Sequence, residues 1–141
     1  MEKPLYFFEN ETKDIRFDLI FNKYYAEDPM YNTIIHINVK SSGFYGCSEW
    51  TVDINEFIKF IKELKEFYNK LNGKVKFVDR EYGSSLNISC DKRGNILFEG
   101  TLKHYGHHCY KLEYEFEIEQ SYMKNFVDQL YVDFIERKIY Q

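Results

Sequence analysis

Three of the four histidines, His104, His107 and His108, and one of the three cysteines, Cys109, crowd into the segment His104–Cys109. Imidazole and thiolate are ligands that zinc favours, but a zinc site needs three or four of them converging tetrahedrally. If the segment joins two strands, His104 and His108 have inward parity, Cys109 has outward parity and His107 sits near the turn. A metal would require the loop to fold back on itself, and no second ligand pair with zinc-finger spacing occurs. The expectation is a turn without metal or other cofactor. In it Gly106 supplies a positive φ and one histidine fixes the loop with both ring nitrogens. A non-enzymatic metal- or small-ligand-binding protein that uses the His104–Cys109 loop is the alternative reading. His36, outward on an earlier strand, reads as a surface residue. Nucleophilic catalysis finds no support, because GxSxG, HExxH and a Gly-rich phosphate loop are all missing. His108 and Cys109 would also point to opposite faces of a strand. The chain reads as a binding protein, not an enzyme.

The segment that follows, Tyr110–Glu119, alternates without a break. Tyr110, Leu112, Tyr114, Phe116 and Ile118 form its inward set, and Lys111, Glu113, Glu115, Glu117 and Glu119 its outward set. In the preceding segment Ile96, Phe98, Leu102 and His104 share inward parity, which turns Leu97, Glu99, Thr101 and Lys103 outward. Like faces can stand opposite each other only across an odd loop, so the loop is Tyr105–Cys109 or its central three residues. Neighbouring glutamates in such a row are about 6.8 Å apart, inside a Debye length of about 8 Å, and repel one another. Two readings stay open. The row is a solvated face partly paired with Lys103 or Lys111, or it is a docking surface for a cationic partner. On the second reading Glu99, Glu113, Glu115, Glu117 and Glu119 are the partner-binding residues, with His107 a further candidate. The helix described next carries Lys59, Lys62, Lys65 and Lys70 and offers an alternative, basic docking surface.

The elements that must position these residues are legible. Asp14–Asn22, Thr33–Lys40 and Phe44–Val52 alternate as strands, with Ile20 the one misfit, and Ser41–Gly43 turns the chain between the second and third. Asp53 is placed to cap a helix, with Glu56 completing a capping box. Ile54, Phe57, Ile58, Ile61, Leu64, Tyr68 and Leu71 recur at helical spacing, and Gly73 suits its end. A meander follows through Lys74–Asp79, Ser85–Cys90, a turn at Asp91–Gly94, and the two segments discussed above. The chain closes with an amphipathic helix from about Ser121, whose stripe is Met123, Phe126, Val127, Leu130, Phe134 and Ile135. The order strands, helix, strands, helix predicts an α+β fold over residues 1–141 as a single domain. One antiparallel sheet would carry both helices on one buried face.

Composition sets limits on function. The chain has 141 residues, 44% of them hydrophobic, with thirteen Phe and thirteen Tyr, enough for a substantial core. Its net charge of −4 argues against direct nucleic-acid binding, and a basic partner suits it better. Three cysteines without a CxxC pair read as free thiols in a reducing compartment. The N-terminal apolar run before Glu9 is too short for a signal-peptide core or a membrane span, so a cytoplasmic location with no membrane contact is expected.

Three segments taken together, Gly46–Leu64, Leu71–Phe77 and Gly100–Leu130, resemble the WapI-type immunity proteins. The resemblance rests on Trp50 leading into a helix, on Gly100 and Leu102 in a Gly-x-Leu strand, and on His107 or His108 in the turn. It extends to Gln120, Ser121 and Tyr122 at the entry to the last helix. It implies a cytoplasmic bacterial immunity protein that binds the C-terminal nuclease domain of a secreted contact-dependent toxin. That role needs neither cofactor nor turnover.

Overall fold

The computed structural model describes residues 3–141. Strands β1 (Leu5–Glu9), β2 (Ile15–Tyr24), β3 (Thr33–Ser41) and β4 (Phe44–Val52) precede helix α1 (Ile54–Lys70). Strands β5 (Lys74–Val78), β6 (Ser85–Cys90), β7 (Ile96–Tyr105) and β8 (Cys109–Ile118) follow. A 3-10 turn (Gln120–Met123), helix α2 (Lys124–Tyr131) and a π-helical turn (Val132–Glu136) end the chain.

The strands form two antiparallel sheets of four, ordered β1-β2-β3-β4 and β5-β6-β7-β8, so the expected single sheet is wrong although the fold is α+β. The reason is physical. An alternating strand needs one face covered, and a second sheet covers it as well as a helix does, leaving the same pattern in the sequence. Here the inner faces meet through aromatic rings. Phe8 of β1 and Phe17 of β2 lie 5.0 and 5.3 Å from Phe98 of β7, centroid to centroid. The helices close the core elsewhere: Phe57 of α1 meets Phe134 at 5.0 Å and Phe77 of β5 at 6.1 Å, and Phe126 of α2 meets Phe8 at 5.1 Å. The core is continuous across both sheets and both helices.

β1 is the strand that alternation does not reveal. Tyr6 and Phe8 are buried, but Leu5 and Phe7 on its outer face are apolar too, so the segment reads as a plain apolar run. Phe7 is partly shielded by Arg16, whose guanidinium lies 4.1 Å from the ring centroid. Ile20, the misfit of β2, faces outward opposite His36, and a bulge follows between Phe21 and Lys23.

Asp53 caps α1 by accepting from the Asn55 amide at 2.7 Å, while Glu56 turns away to pair with Arg80 at 3.2 Å instead of completing a capping box. Buried Asn32 adds a second cap, its Oδ1 taking the Ile54 amide at 2.8 Å. The helix stops before Gly73: Leu71 takes the left-handed conformation at φ 50° and donates its amide to the Phe67 carbonyl. Met123, Phe126, Val127, Leu130 and Phe134 are buried as the stripe requires, and Ile135 is half-buried.

Candidate partner-binding face

The register across β7 and β8 pairs Leu97 with Glu117, Glu99 with Glu115, Thr101 with Glu113 and Lys103 with Lys111. Tyr105 stands opposite Cys109, so the loop is Gly106–His108, the central three residues. Glu99, Glu113, Glu115 and Glu117 are therefore brought together, all exposed, on the outer face of the second sheet. Glu119 lies just past β8, at the entry to the 3-10 turn. His107 is exposed at the loop, and the opposed pair Lys103 and Lys111 stands between it and the carboxylates.

The charge on this face is segregated. Lys76 shares a cross-strand row with Asn87, Glu99 and Glu115, while Lys74 shares one with Ser89, Leu97 and Glu117. The lysines on β5 are three strand spacings from β8, about 14 Å, which exceeds a Debye length of about 8 Å. They compensate the glutamates of β8 only weakly, and Glu99 on β7, two strand spacings away at about 10 Å, little better. Among the described residues only Glu113 of the five acidic candidates has an ion-pair partner, Lys111 at 3.0 Å. Glu99 directly opposite Glu115 is a like-charge cross-strand pair, which costs stability. The alternative basic surface is largely paired: Lys59, Lys65 and Lys70 of α1 meet Glu63, Asp128 and Glu66 at 3.9, 2.7 and 2.8 Å, while Lys62 has no ion-pair partner among the described residues.

The histidine loop differs from expectation. Gly106 is not among the positive-φ residues, and the loop is closed by its amide donating to the His108 carbonyl at 3.1 Å. The rings of His104 and His108 lie 6.5 and 6.4 Å from Tyr110. Despite inward parity, His104 and Tyr110 are exposed, because this end of the hairpin extends beyond the core. Among the described residues no three His, Cys, Asp or Glu side chains are grouped as metal ligands would be. Cys47, Cys90 and Cys109 are free thiols.

Beside this hairpin runs a groove of about 500 Å³ that includes Tyr45, Tyr82, Lys103, His104 and Tyr105. His36, which also lines it, has its Nε2 at 3.1 Å from Asn22 Nδ2 and 3.7 Å from a Glu49 carboxylate oxygen. Tyr82 stacks on Tyr105 at 5.3 Å, and it is held there by a loop anchored on Asp79. Asp79 is fully buried, with Oδ1 accepting from the Glu81 amide at 3.1 Å and Oδ2 unpartnered among the described residues. Burial pushes this carboxyl above its ordinary value, and the amides of Glu81, Thr51 and Tyr82 pull the other way.

A raised carboxyl value means that the fold holds this proton more tightly than the unfolded chain. The resulting stabilisation is complete below the unfolded value of about 3.9 and is lost as pH rises through the folded one. Asp79→Asn removes the charge, and its new unpartnered amide group imposes a cost that does not vary with pH. Thermal melts should therefore show the variant gaining on the wild type as pH rises from about 4 to about 7. A difference that stays flat over that range would contradict a raised Asp79.

The sequence matches the Immunity protein WapI-like family over residues 7–134. The chain belongs to the WapI-like immunity proteins. No curated protein matches it. The residues that carry the WapI-like resemblance are largely structural. Trp50 is fully buried with its indole N–H donating to Ser48 at 2.7 Å, Leu102 is buried, and the Gln120 carbonyl accepts from Tyr68 at 2.8 Å. Family membership thus carries a role in toxin immunity without pointing to the contact surface. No helix among the described residues is long and apolar enough to cross a membrane.

Proposed function

We propose that this WapI-like protein neutralises the C-terminal nuclease domain of a secreted contact-dependent toxin in the cytoplasm, by one-to-one binding without turnover. The outer face of β7 and β8 is the docking surface, with Glu99, Glu113, Glu115 and Glu117 its main contacts. Glu119 and His107 lie at opposite margins. The observation that supports this reading is the Glu99–Glu115 pair, a like-charge cross-strand contact in which neither carboxylate has an ion-pair partner among the described residues. A nuclease binds a polyanion and needs a basic surface to do so. Carboxylates presented in a row meet such a surface with complementary charge, which speeds encounter and selects the partner.

The experiment is a charge reversal. Close, desolvated pairs couple by about 1.5 kcal/mol or more each, so Glu113→Lys with Glu117→Lys should weaken toxin binding by about 100-fold or more. Folding stability should move by less than about 1 kcal/mol, as for exposed charges generally. Calorimetric titration at moderate salt, paired with a urea melt, reads both quantities. Unchanged affinity in a folded double variant would remove this face from the interface.

A further inference from the structure

The inner faces of the two sheets run out of cover at one end. On β4 the inward positions are Trp50, fully buried, then Ser48, Gly46 and finally Phe44, which is 73% exposed. On β8 they are Ile118, Phe116 and Tyr114, buried, then Leu112, half-buried, and Tyr110, 60% exposed. Between these ends lies a slot of about 270 Å³ along the open edge of β8. Val39, Ser41, Ser42 and Phe44 line one side, Leu112 and Tyr114 the other, and the exposed carboxylates of Glu113 and Glu115 border it. Its floor is closed because Leu112 presses against Gly46, where a Cβ would collide with the leucine methyl group.

A slot this size lies below the ordinary range for small-molecule sites, which starts at about 300 Å³, and suits a single side chain. Its chemistry selects which one. A purely apolar side chain would cover Glu115 and leave it desolvated without a partner. An anion would be repelled. A cation with an apolar stem satisfies both wall and rim, and arginine does so best, because its planar guanidinium stacks on an aromatic ring while forking onto a carboxylate. This protein already builds that arrangement once. Arg16 lies over Phe7 at 4.1 Å and reaches Asp18 and Glu9 at 2.7 and 3.6 Å.

We propose that the slot between Phe44 and Leu112 receives an arginine side chain of the partner protein, with Glu115 as its principal carboxylate and the Phe44 ring as its stacking platform. Glu113 is shared with Lys111 and acts second. That this arginine belongs to the toxin rests on the proposed function; that the slot selects arginine does not.

The two claims are separable by experiment. The full chain is titrated with N-acetyl-arginine methylamide and, in parallel, with the neutral isostere N-acetyl-citrulline methylamide, while NMR follows the Phe44 ring and Leu112 methyl signals. Saturable shifts at these signals with arginine in the millimolar range, absent with citrulline and abolished by Phe44→Ala or Glu115→Gln, are expected. Both residues are exposed, so the variants should keep the wild-type spectrum elsewhere. Equal responses to the two probes, or shifts confined to other residues, would overturn the proposal. In the toxin complex each variant should lose at least about 10-fold in affinity, with the double variant losing less than the product. An arginine-selective slot in a chain that binds no toxin would sink the proposed function and leave the slot standing. Tight toxin binding that neither variant weakens would sink the slot's role in the complex and leave the function standing.

Discussion

Phe8→Ala is expected to cost about 3–5 kcal/mol of folding stability, the range for truncating a buried aromatic residue. Phe8 is 2% exposed, and its ring lies 5.3, 5.0, 6.2 and 5.1 Å from Phe17, Phe98, Phe116 and Phe126. It therefore touches its own sheet, the facing sheet and α2 at once. Alanine would leave a cavity between layers that cannot all close on it together. Phe7, its neighbour, is the control: it is half-exposed on the outer face and meets Arg16, so Phe7→Ala should cost about 1 kcal/mol or less. Urea denaturation of both variants reads the difference. A Phe8→Ala cost near that of Phe7→Ala would mean that β1 is not part of the shared core.

Gly100→Ala should be nearly as severe, at about 2–4 kcal/mol, despite adding one methyl group. Gly100 pairs with Leu86 on β6 and Tyr114 on β8. A Cβ at Gly100 would collide with the Ser85 carbonyl oxygen and stand 2.7 Å from the Tyr114 hydroxyl, which donates to that same carbonyl at 3.1 Å. The obstacle is backbone, so it cannot swing aside as a side chain would. The phenol is buried across the glycine, and burial raises the pH at which its hydroxyl would ionise. Tyr114→Phe removes the hydroxyl but leaves the Ser85 carbonyl in place, so it should not rescue Gly100→Ala. Denaturant melts of the single and double variants test this, and full rescue would show that the phenol, not the backbone, is the obstacle.

These two residues mark where sequence reading succeeds and fails. The pattern around Gly100 could be seen as part of a family resemblance, but its cause, a tyrosine lying across a central strand, depends on pairing that no local pattern reveals. Phe8 escaped because β1 presents apolar residues on both faces, which hides the period of two. The glutamate row was legible because parity within a strand is local, and an odd loop is enough to carry it from β7 to β8. What parity could not supply is coverage. Phe44, Tyr110 and His104 all have inward parity, and they are exposed because the facing sheet ends before it reaches them. The sheet count failed for a related reason: alternation reports that a face is buried, not what buries it.

If the chain protects by direct binding, protection and complex formation must go together. Co-expressing this chain with the C-terminal domain of a candidate secreted toxin, and scoring survival and co-purification together, tests this. Cells are expected to survive and the two chains to elute as a one-to-one complex, with both outcomes lost for Glu113→Lys with Glu117→Lys. Death of cells that contain soluble, folded wild-type chain, with no complex recovered, would contradict it.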